Sequence, residues 1–324
     1  MNDINRRLFV SIVLLITLLG TAGILYYSVT HLAGQEEEKP ASDRDKPAYV
    51  TALGAGNESR LQSPLHLAVS DGLAYISSSG NGRLTVYSQT GTFKKSLELK
   101  VSDAPSSPLG VAIDGKRHIY VATTRSTGDA ILVFDNSGRY LYTFPEGASG
   151  DASYIAPGKA MALFAGDGKL YVTDIVDQDI KVYDLSGNLL KRFGRPGAAK
   201  GEFLFPNGIT ADASGTIYIS DSNNGRVQVF DENGEFLYLF NQPDNDQLAL
   251  PRGIAIDHQD RVHVVDTLKH KVFVFTKKGG FLYSYGTFGT GEGGLSYPNG
   301  IAIDKATGKI YIADKMNNRI SVWK

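Results

Sequence analysis

The sequence predicts an all-β protein: a six-bladed β-propeller, closed by a strand near the N-terminus and preceded by a single transmembrane helix. Three observations predict it. A proline-led apolar phrase, as in FPNGITAD at 205–212 and YPNGIAID at 297–304, recurs on Pro64, Pro108, Pro157, Pro206, Pro251 and Pro298. The intervals are 44, 49, 49, 45 and 47 residues, a period that suits a unit of four short strands. The last unit runs only to Trp323-Lys324, one strand short, while an isolated strand-like segment, residues 49–54, precedes the first unit. Further upstream, residues 8–29 carry no charge and are long enough to cross a bilayer as a helix.

Taken in chain order, residues 1–30 read as a short stub and a signal anchor. Arg6 and Arg7 precede the apolar run and Tyr26 and Tyr27 end it, which fits an interfacial belt and a cytoplasmic N-terminus. An uncleaved anchor is expected, with a cleaved signal peptide as the alternative. Everything after residue 30 is then expected on the extracytoplasmic side. Residues 31–48, HLAGQEEEKPASDRDKPA, have no apolar face and read as a flexible charged tether. Residues 49–324 form the propeller.

Each unit reads as four strands. In the fourth, the strand after Pro206 leads through the turn DASG to TIYISD, through SNNG to RVQVFD, and through ENG to EFLYLF. These are β-branched and aromatic runs bounded by Gly, Asn and Asp. The first strand of each unit is apolar on both faces because every blade lies between two others. Residues 49–54 resemble GFLYSYG at 280–286. They are expected to pair antiparallel with 319–323 and so remove an open edge.

Composition narrows the function. The formal charge is −1, so no basic field invites nucleic acid. Cysteine is absent, which excludes disulfides, thiolate metal sites and a cysteine nucleophile.

The phrase PNGIAID…GKIYIADKMNNRISVW resembles the NHL repeat over residues 49–324. The best-matching residues are Asp221, Asn224 and Arg226 in unit 4 and Asp314, Asn317 and Arg319 in unit 6. Unit 5 keeps Asp266 but has Lys269 and Lys271 for Asn and Arg. Unit 1 has Ser78 for Asp, unit 2 has Thr123, and unit 3 has Asp177 and Asp179 in place of Asn and Arg. The resemblance implies the propeller fold, and a family that spans interaction domains, extracellular sensors and, among relatives, a few lyases.

Take the start of each first strand as the top of the ring. The longer, variable connections and the D-x-x-N-x-R loops then lie on top, and the short Gly-rich turns at the bottom. Variable loops on a rigid scaffold are where binding concentrates. At the mouth, His66, Lys159, Asn207, Arg252 and Asn299 are expected to form a polar ring, a candidate site for a small polar or anionic ligand. In D-x-x-N-x-R, Asp and Asn are expected to bond their own loop backbone, and Arg to pair with a carboxylate of the same or the adjacent blade. The apolar residues before each proline, Phe203, Phe205, Leu248, Leu250, Leu295 and Tyr297, are expected to pack between blades.

Catalysis is not expected. Only His66 and His270 among the histidines reach the top, too few for zinc with three protein ligands, and no H-E-x-x-H, G-x-S-x-G or Walker motif occurs. No cofactor or metal is expected. The leading expectation is a membrane-tethered module that presents its top face to a protein partner. The alternatives are a small-ligand sensor and, last, a metal-dependent lyase or hydrolase.

Overall fold

The computed structural model describes residues 46–55, 61–99, 106–125, 128–145, 157–242 and 246–324. The expected membrane helix and residues 31–45 of the tether lie outside them. Among the described residues no helix is long and apolar enough to cross a membrane.

Six four-stranded antiparallel sheets form the blades. Blade 1 holds β2 (Pro64–Ser70), β3 (Leu73–Ser78), β4 (Arg83–Ser88) and β5 (Phe93–Glu98), and blade 2 holds β6 (Ser106–Ile113), β7 (Ile119–Arg125), β8 (Ala130–Phe134) and β9 (Tyr140–Phe144). Blade 3 holds β10 (Ala160–Gly166), β11 (Lys169–Asp174), β12 (Asp179–Asp184) and β13 (Leu189–Phe193). Blade 4 holds β14 (Pro206–Ala211), β15 (Ile217–Asp221), β16 (Arg226–Phe230) and β17 (Phe236–Phe240), and blade 5 holds β18 (Pro251–Ile256), β19 (Val262–Asp266), β20 (Lys271–Phe275) and β21 (Phe281–Tyr285). Blade 6 takes β24 (Pro298–Asp304), β25 (Lys309–Asp314) and β26 (Arg319–Trp323) from the end of the chain, and its outer strand is β1 (Tyr49–Leu53). A small parallel pair, β22 (Thr287–Phe288) with β23 (Gly294–Leu295), shapes the connection between blades 5 and 6.

The closure expected from the sequence is present. β1 runs antiparallel to β26, with Tyr49 opposite Trp323 and Leu53 opposite Ile320. Ala48 and Lys324 extend the ladder, each N–H donating to the other's carbonyl at 2.8 and 2.9 Å. Leu53 is fully buried in the cluster between blades 6 and 1, with Leu67, Ile76, Tyr311 and Val322. The rings of Tyr49 and Trp323 meet edge to face, with centroids 5.9 Å apart.

Blades pack face to face, so the core is a series of apolar layers between them, such as Tyr218, Val229, Ile254, Val264 and Phe275 between blades 4 and 5. The innermost strands β2, β6, β10, β14, β18 and β24 contact one another in a closed ring. Their spacing explains the glycine of P-x-G. A Cβ on Gly253 would lie 2.5 Å from the Asn299 carbonyl, and one on Gly300 would lie 2.6 Å from the Leu65 carbonyl. The glycine is there because one inner strand touches the next. The bottom turns are capped by their own aspartates: Asp212 accepts the N–H of Ser214 and Thr216, and Asp231 those of Asn233 and Glu235, the side-chain geometry that fixes such turns.

Candidate functional site

The repeat motif is a clamp on the top connections. Asp221 and Asp314 are fully buried. Each accepts the N–H of the connection entering its blade, from Leu204 and Ser296, at 2.7 Å. Arg226 Nε donates to Asp221 and Arg319 Nε to Asp314, both at 2.8 Å. The guanidinium of Arg226 also donates to the carbonyls of Ala198, Ala199 and Glu202, and that of Arg319 to those of Thr290, Gly291 and Gly294. Asn224 and Asn317 add bonds to the Gly197 and Gly289 carbonyls. An arginine with five fixed donors can hold a loop this way. The sequence reading anticipated the Arg–carboxylate pair but not the three carbonyls.

The departing units show the same task done otherwise. Ser78 Oγ accepts from the Gln62 N–H and donates to its carbonyl. In blade 2 the ladder itself extends upward, with Ser106 and Ser107 paired to Arg125 and Thr124, so no carboxylate is needed at Thr123. Asp266 accepts from Ala249 and Leu250, while Lys269 reaches Asp246 at 2.6 Å. In blade 3 the cation has moved. Lys181, fully buried, donates to Asp174, Asp177 and Asp179 at 2.7, 2.8 and 2.7 Å, and Arg192 also bonds Asp179. Burial opposes both charges, but the bonds outweigh it: the Asp174 carboxyl is held below its usual range and the Lys181 ammonium above. These aspartates are the one cluster of metal-ligand type among the described residues, and the ammonium occupies its centre.

The apolar residues before the prolines divide into two sets. Phe203, Leu248 and Leu295 are buried between blades as expected, whereas Phe205 and Tyr297 are about two-fifths exposed on the top face. The cause is backbone. Both residues lie in the left-handed region, φ 55° and 48°, which is unusual for a bulky residue and costs of order 1–3 kcal/mol. Each N–H is held by a side chain of the preceding blade: Gln178 Oε1 accepts from Phe205 at 2.6 Å, and His270 Nδ1 from Tyr297 at 3.0 Å. Asn318 does the same for Ser63, whose φ is 47°. Where glycine stands at the donor-blade position, as at Gly82 and Gly225, Ser107 and Leu250 do not adopt positive φ. His270 is also flanked by the rings of Phe288 and Tyr297, at 4.6 and 4.7 Å. With Phe288 70%, Met316 59% and Leu268 52% exposed, the top of blades 4 to 6 presents an apolar and aromatic surface.

The expected ring at the mouth is brought together in part. Arg252, Asn299 and His66 sit on consecutive blades 5, 6 and 1, and the glycine contacts above join their strands. Arg252 Nε, both polar atoms of the Asn299 amide, and His66 Nε2 are buried without a hydrogen-bond partner. Asn207 is folded back instead, its amide donating to the Phe205 carbonyl and to Ser222 Oγ at 2.9 Å. Lys159 is half-buried at the blade 3 position, with its backbone N–H on Asp174. The histidines do not converge: His270 spends Nδ1 on Tyr297, and His263 is buried in blade 5 between Asp257 and Tyr285.

Burial, then the nearby Arg252 charge, lowers the His66 pKa to about 4. A folded pKa below the unfolded one means the unfolded chain binds more protons, so this stabilisation is complete above pH 6.5 and declines as pH falls towards 4. The decline attributable to His66 is about 3 kcal/mol at most. Thermal unfolding of His66→Gln is expected to show a correspondingly flatter pH profile than the parent over that window. An unchanged profile would mean His66 titrates normally in the fold.

Comparison with known proteins agrees with this architecture. A family model described as a 6-bladed beta-propeller matches residues 253–323, and an NHL repeat model matches 203–230. The chain is 30% identical over 136 residues to Protein brain tumor of Drosophila melanogaster, a match covering 42% of this chain and 12% of that protein. It is 27% identical over 195 residues to NHL repeat-containing protein 3 of Homo sapiens, covering 53% of this chain and 52% of that one. The matches therefore span about half of the human relative and a small part of the fly one. Among solved structures, a streptogramin B lyase aligns with TM-score 0.56 at 16% identity, over 86% of this chain and 96% of that one. Hydrazine synthase of Kuenenia stuttgartiensis aligns with TM-score 0.58 at 11% identity, over 81% and 96%. At such identity these show the fold alone. The protein is a six-bladed β-propeller, and its residues 203–230 match an NHL repeat.

Proposed function

We propose that this chain is a membrane-anchored interaction module, with its propeller on the extracytoplasmic side and its top face docking a protein partner. The observation that carries the reading is the exposed surface of Phe205, Phe288 and Tyr297. Large exposed aromatic groups mark interaction sites, and here two of them are held outward by a strained backbone that neighbouring blades support. The NHL-repeat relatives point the same way. The anchor is supported by the uncharged run at 8–29 behind Arg6 and Arg7. β1 starts at the bottom, where Lys46 and Pro47 lie beside Lys305–Gly308 and Lys324. A second reading, a sensor for a small polar or anionic ligand, is favoured by the unbonded side chains at the mouth.

The test is affinity capture of partners from solubilised membranes, comparing the parent with the triple variant Phe205→Ser, Phe288→Ser, Tyr297→Ser. Buried aromatic anchors each contribute about 2 kcal/mol or more, so the variant should retain at least tenfold less of every specific partner while keeping the parent's melting temperature. Equal recovery by both proteins would rule out the aromatic face. Recovery of the chain in the soluble fraction would rule out the anchor.

A further inference from the structure

We propose that the mouth of the central channel binds a carboxylate group, gripped by Arg252 and Asn299 with His66 beside them. This deepens the ligand-sensing reading and rests on it. The channel is suited to polar contents. Each innermost strand has a sheet neighbour on one side only, so its other edge turns unpaired N–H and C=O groups into a cavity of about 230 Å³ that lies below the mouth, along Leu67, Ile254 and Ile301 and down to Lys305, and such groups require water or a polar guest. The side chains at the mouth are a different matter. They are not edge groups of a ladder, yet four of their polar atoms are buried and unbonded, each at a cost of about 1–3 kcal/mol.

Arg252 is the decisive residue. It is half-buried, with its Nε fully enclosed, whereas the buried cations among the described residues are neutralised: Lys181 by three aspartates, Arg226 by Asp221 and Arg319 by Asp314. No described carboxylate pairs with Arg252, and burial alone acts on its guanidinium, pulling its pKa down with no acid to offset it. Arginine stays charged in proteins, so the site holds a positive charge that lacks a counter-charge, an arrangement that is costly until an anion arrives.

The neighbours set the class of anion. His66 is neutral at pH 7, its pKa being about 4, so the trio carries one positive charge and matches a monoanion better than a phosphate dianion. A planar guanidinium grips a carboxylate through paired N–H groups. Asn299, 1% exposed, offers an amide N–H to the same carboxylate and a carbonyl Oδ1 to a donor next to it. That combination selects a carboxylate with an adjacent hydroxyl or amide N–H, which a free 2-hydroxy acid and the C-terminal residue of a peptide both provide.

The test is thermal unfolding of the full chain in a neutral detergent, at constant ionic strength and pH 7.5. The probes are lactate, trialanine, trialanine amide, inorganic phosphate and glycerol. At ten times its dissociation constant a bound carboxylate should raise the melting temperature by about 3 °C, and Arg252→Gln should abolish the rise. A shift with lactate but not trialanine identifies a free small acid. A larger shift with trialanine, absent for its amide, identifies a chain terminus. Either supports the proposal. A shift with phosphate or glycerol and none with a carboxylate overturns the carboxylate assignment and leaves the sensor reading standing. No shift with any probe removes both. If Arg252→Gln does not fold, phenylglyoxal modification of Arg252 in the parent, followed by peptide mass mapping, replaces it. Lactate should slow that modification at least fivefold, and an unchanged rate overturns the proposal.

Discussion

A chain lacking residues 49–53 is expected to lose the folded propeller. β1 supplies the whole outer edge of blade 6, and its loss bares β26 along its length. Three contributions disappear together. Leu53, fully buried, is worth about 2–5 kcal/mol by the cost of truncating such a side chain. The ladder bonds to β26 add about 1 kcal/mol each, and the Tyr49–Trp323 edge contact about 1 kcal/mol. The sum is of the same order as the net stability of a typical domain, about 5–15 kcal/mol. An exposed apolar edge also templates aggregation. Leu53→Ala alone should lower stability by about 3 kcal/mol, while Thr51→Ala, on the exposed side of the same strand, should cost under about 0.5 kcal/mol. Circular dichroism melts of the three proteins check this order. A truncated chain that melts within about 2 °C of the parent would show that β1 does not close the ring energetically.

Lys181→Met is expected to be the most damaging single substitution in blade 3, and to reverse the local dependence on pH. The change keeps the volume but removes the ammonium that joins Asp174, Asp177 and Asp179. Asp174 and Asp179 stay buried, with Arg192 the one remaining cation on the group. Breaking a buried ion pair from one side costs about 3–5 kcal/mol, or roughly 10 °C in melting temperature for a domain of this size. In the parent, the Asp174 pKa is lowered by folding, so its contribution is present above the unfolded carboxylate range and lost as pH falls through the lower folded value. In the variant the crowded carboxylates repel, which raises their folded pKa values above the unfolded ones. Their penalty then shrinks as pH falls from 7 towards 4, so the variant should regain stability relative to the parent on acidification. Adding Asp179→Asn should recover part of the loss at pH 7. A variant that melts like the parent at pH 7 would mean that the ammonium is not what neutralises the cluster.

The sequence by itself determined the ring. Six proline-led phrases at intervals of 44 to 49 residues specify six blades, because strand period, turn residues and Gly–Pro punctuation are local signals carried by each unit. It also determined the closure, since a unit one strand short and a spare strand upstream complete each other, and β1 lies on β26 in the structure. That Arg226 and Arg319 pair with a carboxylate was legible as well, with the same and the adjacent blade both open; the structure selects the aspartate five residues earlier across one loop. What lay beyond it depends on contacts between blades. Whether an apolar residue before a proline packs inward, like Phe203, or faces out, like Phe205, turns on a left-handed backbone held by a side chain 27 residues earlier in the chain. Asp177 and Asp179 read as departures from the repeat because their cation, Lys181, had moved two positions along the strand and was assisted from the next strand by Arg192. The mouth shows the same limit. The five candidate residues occupy two neighbouring places in the repeat, Asn207, Arg252 and Asn299 directly after the proline and His66 and Lys159 one residue further on. Asn207 found a carbonyl and a hydroxyl within reach and folded back, while Arg252 Nε, the Asn299 amide and His66 Nε2 on the next three blades met no partner. A repeat fixes where a side chain starts, and the neighbouring blade decides whether its polar atoms are satisfied there.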